Sequence, residues 1–268
     1  MFFDAKNGEI SLDSTKMSYA VFGKGSKVLL ILPGLSDGLA TVRGKAKLLA
    51  APYRMFFEKY TVYMFSRKDD MPEGYSIRDM AEDQVRALRL LGIERFSVLG
   101  VSEGGMIAQY IAIDHPEAVE KLVLAVTGAN ANEKVMASIP YWMELAEKGD
   151  HKKLMIDTAE KSYSPYYLMK YRQIYPFIGL IGRPKSYDRF LANAKAILGF
   201  DSADELCKIS CPCLIIAGED DKIVGLDASY ELNEKIKGSL LHVYKGLGHG
   251  AYEEAKDFNK RVFDFLES

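Results

Sequence analysis

The pentapeptide Gly100-Val101-Ser102-Glu103-Gly104 sets a serine between two glycines, where an apolar run gives way to a helical pattern. A tight strand-to-helix turn of this kind lifts a hydroxyl clear of a sheet. Flanking glycines let neighbouring backbone approach without a Cβ clash. The free N–H groups at the helix start then face any oxyanion that develops at the serine. The pattern alone is common; its strand–turn–helix context, with Gly105 following, makes Ser102 a candidate nucleophile.

A serine hydroxyl is a poor nucleophile without a base. The chain holds four histidines. His115 precedes Pro116 at an expected helix end and reads as a surface or capping residue. His151 follows Gly149 and Asp150 and reads as solvated, and His242 falls inside a strand run. His249 lies in Gly246-Leu247-Gly248-His249-Gly250, directly after the last strand run and before the last helical pattern. A loop at the C-terminal edge of a parallel sheet is where an imidazole can reach such a serine, so His249 is the candidate base. Gly246 to Ala251 also fits G-x-G-x-x-A, but the residues beyond Ala251 are too few for the βαβ unit that dinucleotide binding needs.

An imidazole acting as base needs a partner that fixes its tautomer. Gly218-Glu219-Asp220-Asp221 follows the run Leu214 to Ala217. Spacing does not choose among these three carboxylates. The chain order serine, acid, histidine favours this place, and Asp221 is the residue expected to serve. For the oxyanion, the loop Pro33-Gly34-Leu35-Ser36-Asp37-Gly38 follows another apolar run. Pro33 has no N–H to give, so the amide of Leu35 is the candidate donor, paired with that of Glu103.

These residues need a scaffold, and the alternation of short apolar runs with helical patterns supplies one. Residues 17–22, 27–32, 61–65, 96–99, 121–126, 214–217 and 240–244 read as strands, several too continuously apolar for a one-sided sheet. Ser76 and Asp79 resemble a capping box, the stripe Met80, Val85, Leu88 and Leu91 follows, and Gly92 is a natural stop. Further helices are expected from Gly104 to before Pro116, over 228–236 and over 252–266. This predicts an α/β chain with a mainly parallel central sheet flanked by helices. Strand-like runs vanish over 128–206, which reads as a helical insertion with Pro140, Pro165, Pro176 and Pro184 separating short helices. That stretch carries 11 Lys or Arg against 10 Asp or Glu, so its charge names no ligand.

The 268 residues are 48% hydrophobic and 27% charged, with a formal net charge of -2. No strong field favours nucleic acid, and no apolar run is long enough for a membrane span. The opening MFFDAKNGEI lacks the basic and apolar regions of a secretory signal. Cys207, Cys211 and Cys213 are an odd set suited to a reducing, cytoplasmic setting. They read as small thiols, so neither a metal nor a cofactor is expected.

With GVSEGG, GEDD and GLGHG in this order, and Asp201 and Leu206 ahead of Ile209 and Pro212, the chain resembles the α/β-hydrolase superfamily, in its cap-bearing serine esterase-like branch. The resemblance spans nearly all of residues 1–268. It implies a triad of Ser102, His249 and Asp221, oxyanion amides at Leu35 and Glu103, and a helical cap over 128–206. Two-step acyl transfer on a small substrate is expected, an ester first, and the Tyr and Met residues of 128–206 would suit an apolar or aromatic group. Cleavage of C–C, thioester, lactone or N-terminal peptide bonds, or ligand binding with little turnover, are its alternatives. Serine at the elbow fits poorly with the aspartate-nucleophile members. Two departures stand out. Pro33-Gly34 replaces the family's frequent His-Gly, and Ser66-Arg67-Lys68-Asp69 replaces Asp-x-Arg-Gly, which would leave the neighbouring loop without its usual anchor.

Overall fold

A computed structural model describes residues 4–178 and 182–268. Its eight strands are β1 (Lys6–Leu12), β2 (Thr15–Gly23), β3 (Lys27–Leu32), β4 (Tyr60–Phe65), β5 (Phe96–Val101), β6 (Val119–Ala125), β7 (Cys213–Gly218) and β8 (Leu240–Tyr244). They form one sheet in the order β1-β2-β4-β3-β5-β6-β7-β8. β2 runs antiparallel to both β1 and β4, and every other neighbouring pair is parallel. The helices are α1 (Ala46–Ala50), α2 (Ile77–Leu90), α3 (Glu103–Asp114), α4 (Glu133–Glu147), α5 (His151–Ser162), α6 (Pro165–Tyr171), α7 (Tyr175–Ile178), α8 (Asp188–Leu198), α9 (Leu226–Lys235), α10 (Ala251–Glu254) and α11 (Phe258–Glu267).

The central strands are apolar on both faces because both faces are covered. Every residue of β5 and β7 is buried. Leu30, Leu32, Val98 and Leu124 join one core with α2 and α3, while Leu29, Ile31, Leu99 and Val123 join another with α1 and α11. The alternation of faces along each strand divides the side chains this way. α2 begins as its sequence predicts: Ser76 accepts from the Asp79 N–H, and the Asp79 carboxylate accepts from the Ser76 N–H at 2.9 Å.

Between β6 and β7 the chain leaves the sheet and builds α4 to α8. The excursion begins and ends at a paired neck, where Asn130 bridges Asp201, the Ala131 N–H donates to Phe200 O and the Ser202 N–H donates to Ala129 O. Exit and return are thereby fixed side by side over the C-terminal edge of the parallel strands.

Four local expectations need correction. β1 lies outside the expected strands; only Leu12 of its seven residues is buried, so it lacks an apolar run. Pro140 does not separate helices but lies inside α4. Pro140 and Met136, one turn earlier, are both exposed, so the carbonyl that loses its N–H partner lies on the solvent side. His151 is not solvated. Asp150 caps α5 by accepting from the Lys153 N–H, and His151 turns inward to 2% exposure near the Tyr187 ring. The expected closing helix is two helices, broken where Ala255 turns extended at ψ 115°.

Leu88 is fully buried in α2, away from the elbow. We expect Leu88→Ala to lower the free energy of unfolding by about 2–5 kcal/mol, measured by urea titration, through lost burial plus the cavity left behind.

Candidate active site

β5 delivers the chain to Ser102, and α3 carries it away. Ser102 sits between them at φ 55°, ψ -120°, a backbone region that residues with a Cβ rarely occupy. Its neighbours explain how the turn closes. A Cβ on Gly100 would lie 2.4 Å from Gly104 O, and one on Gly104 would lie 2.0 Å from Leu32 O. Only bare backbone fits at these places, so β3 and α3 approach each other directly beneath the serine.

His249 reaches the serine from the loop after β8. Its Nε2 lies 2.9 Å from Ser102 Oγ, and its Nδ1 lies 2.8 Å from Asp221 Oδ2. Asp221 Oδ1 accepts from the N–H groups of Ile223 at 2.8 Å and Val224 at 3.0 Å. With the Asp221 carboxylate ionised, Nδ1 carries the ring proton, and the Nε2 lone pair is free to accept from the hydroxyl. Asp221 and His249 are 4% and 6% exposed. Burial is the strongest single influence on the Asp221 carboxyl and raises its pKa. The His249 charge and hydrogen bond, with the Val224 and Ile223 N–H groups, outweigh it and hold the pKa below the usual value. The choice among three carboxylates is thus made by direction. Glu219 and Asp220 face solvent, and Glu219 accepts instead from the Gly246 N–H. The other histidines are elsewhere: His115 meets Glu82, and His242 packs edge-on against Tyr244.

The helical excursion grips the His249 loop. The Gly250 N–H donates to Ser162 O at 2.7 Å, and the Ser164 N–H and hydroxyl both donate to the Glu254 carboxylate. Above Ser102 a cavity of about 100 Å³ is lined by Met106 of α3, by Val135, Ile139 and Trp142 of α4, and by Ile197 and Ile223 among others.

Leu35 and Glu103 each open a helix, the first a single turn over Leu35–Gly38 and the second α3. Their N–H groups therefore have no acceptor within their own helix. Leu35 lines the same cavity as Ser102, and a Cβ on Gly34 would come within 3.2 Å of Ser102 Cβ.

Arg67, absent from the expected site, holds this loop. Its guanidinium is fully buried; Nη2 donates to Pro33 O at 2.7 Å and lies 3.2 Å from Glu103 Oε2. Its backbone N–H donates to Asp37 Oδ2 at 3.0 Å. The expectation that replacing Asp-x-Arg-Gly leaves the loop unanchored is therefore corrected, because Arg67 turns inward and ties it down. A charged residue two positions after the apolar β4 was the signal in the sequence.

The Glu103 side chain is 0% exposed. Burial pushes its carboxyl up to about 7 despite the opposing Arg67 charge, and the Asp37 charge adds to the rise. A carboxyl that binds its proton more tightly when folded stabilises the fold fully below its ordinary 4.5, and that stability is lost as pH climbs to about 7. Melting temperature against pH should fall through this window in the wild type, and the falling component should be absent from Glu103→Gln.

The alpha/beta hydrolase fold family matches residues 27–256. A 2-hydroxy-6-oxononadienedioate/2-hydroxy-6-oxononatrienedioate hydrolase of Pseudomonas putida is 29% identical, with 99% of this chain and 96% of that protein covered. The AB hydrolase superfamily protein YisY of Bacillus subtilis is 30% identical, over 76% of this chain and 78% of its own. The crystal structure of MGS-M2, an alpha/beta hydrolase enzyme from a Medee basin deep-sea metagenome library, superposes with a TM-score of 0.87. It covers 97% of this chain and 98% of that one at 22% identity. A match over most of the length, on a sheet with this strand order, means that the chain belongs to the alpha/beta hydrolase fold family.

Proposed function

We propose that this hydrolase cleaves small uncharged esters through an acyl-enzyme formed on Ser102. The observation that carries the reading is the continuous relay from Ser102 Oγ through both nitrogens of His249 to Asp221, at 2.9 and 2.8 Å. His249 takes the hydroxyl proton as Oγ attacks the ester carbonyl. The carbonyl electrons move onto oxygen, which the amides of Leu35 and Glu103 receive. Collapse of this adduct breaks the bond to the leaving alcohol, and His249 returns the proton to it. Water then repeats the cycle on the acyl-enzyme, giving up a proton to His249 and releasing the acid. Asp221 keeps the imidazole oriented and balances its charge in each adduct.

The cavity supports a short apolar substrate. At about 100 Å³ it is well below the roughly 300–1,000 Å³ of pockets that hold drug-sized ligands. The excursion from α4 to α8 acts as a cap, since Val135, Ile139, Trp142 and Ile197 form much of the wall. A cytoplasmic setting fits the three free cysteines, of which Cys211 and Cys213 are turned inward; burial pushes the Cys211 thiol up to about 11. Among the described residues, no helix is long and apolar enough to cross a membrane.

A second reading is C–C bond hydrolysis, favoured by the Pseudomonas putida relative that aligns over 99% of this chain. That relative is named for a substrate with two carboxylates. Here none of the described lining residues is Lys or Arg, and the nearby Arg67 already serves Pro33 and Glu103. An uncompensated carboxylate in such a cavity is strongly disfavoured, so the ester reading stands first.

A fluorophosphonate probe should label the wild type and not Ser102→Ala; a folded wild type that resists labelling would overturn the proposal. Among p-nitrophenyl esters, kcat/KM should be highest for acetate to butyrate and fall for longer acyl chains. Faster turnover of a 2-hydroxy-6-oxo dienedioate than of any ester would favour the second reading. Asp221→Asn should lower kcat by roughly 10³- to 10⁴-fold, through loss of the correct tautomer.

A further inference from the structure

The cap and the oxyanion loop share a set of charges whose inner members, Asp37, Arg67 and Glu103, are buried. Arg189, in the first turn of α8, points down from the cap. Its Nη2 donates to Asp37 Oδ2 and to Arg67 O, each at 3.2 Å. Its Nη1 donates to Lys68 O, donates to Asp69 O at 3.3 Å, and lies 3.9 Å from Asp69 Oδ1. Asp37 is 2% exposed and belongs to the turn opened by Leu35. Its Oδ2 also accepts from the Arg67 N–H, and Arg67 Nη1 lies 3.9 Å away. The guanidinium of Arg67 continues to Pro33 O and to Glu103. One run of contacts thus joins the cap, the turn carrying one candidate oxyanion amide, and the residue carrying the other.

Packing reinforces the charge. A Cβ on Gly38 would lie 2.6 Å from Phe190 Cα. The end of the oxyanion turn therefore rests on α8 backbone to backbone, one residue from Arg189. We propose that Arg189 is a positioning residue that sets the Leu35 amide for the oxyanion, so that the oxyanion hole is complete only when α8 is seated. This rests on the acyl-enzyme reading above. The physical reason is the Asp37 carboxylate. Without Arg189 it remains buried beside Glu103, with Arg67 alone for two acids. A carboxylate in that state turns toward water and takes the Leu35 turn with it. A displacement of this size at a donor matters because an oxyanion hole works only at hydrogen-bond distance.

The test compares Arg189→Met and Arg189→Lys with wild type on p-nitrophenyl acetate. Each is also titrated with a trifluoromethyl ketone, to whose carbonyl carbon Ser102 Oγ adds, leaving an oxyanion. We expect Arg189→Met to lower kcat by roughly 10- to 100-fold with KM nearly unchanged. The inhibition constant of the ketone should rise by the same factor, while that of the alcohol product stays put, and Arg189→Lys should recover part of the loss. A cap strut with no effect on the oxyanion hole would instead weaken substrate, ketone and alcohol alike, which would overturn the proposal, as would wild-type kcat in Arg189→Met. Should Arg189→Met fail to fold, Asp37→Asn breaks the same contact and is held to the same pattern. A wild type that neither hydrolyses the ester nor binds the ketone would overturn the acyl-enzyme reading itself; an active wild type matched by Arg189→Met overturns only the positioning role.

Discussion

A single imidazole bonded at both nitrogens is the constraint around which the rest is arranged. His249 must lie within hydrogen-bond reach of a hydroxyl on one side and a carboxylate on the other, and the tolerance is a few tenths of an ångström. The three side chains are far apart in sequence. A parallel sheet answers this by ending β5, β7 and β8 at one edge, so that the loops leaving them face each other. The sheet's double-sided burial supports that edge, and α4 and α8 contribute Val135, Ile139, Trp142 and Ile197 to the cavity above it.

Two buried carboxyls near the same serine have opposite fates, and the difference lies in their donors. Asp221 accepts from two backbone N–H groups and the imidazole, which hold its pKa below the usual carboxylate value. Glu103 lies beside a guanidinium without a hydrogen bond to it, and holds its proton to a higher pH. A charge nearby does not replace donors aimed at the oxygens. Glu103 offers the backbone a helix start and the side chain little else, so the two ends of one residue live under different rules.

Much of this was legible in the sequence, for identifiable reasons. The buried strands show as continuous apolar runs, and the capping box of α2 shows as Ser76 and Asp79. Ser102 and His249 were marked by glycines that only a close backbone approach requires. Other features carry no such mark. β1 is mostly exposed and earns its place by pairing with β2 rather than by burial. The choice of Asp221 over Glu219 and Asp220 depends on the direction of a turn. His151 is drawn inward by a cap at Asp150, which composition reads as solvent. Arg67, Asp37 and Arg189 escaped notice because their meeting depends on a loop and a helix separated by more than half the chain.

The conformation of Ser102 also has an evolutionary edge. At φ 55° the residue sits where glycine is at ease and a side chain is not, a difference on the order of 1–3 kcal/mol. Selection for robustness alone would favour glycine at codon 102, and on the acyl-enzyme reading such a lineage would gain in thermal tolerance what it gave up in turnover. On the acyl-enzyme reading proposed above, the chemistry of the hydroxyl is the benefit that offsets so uncomfortable a backbone.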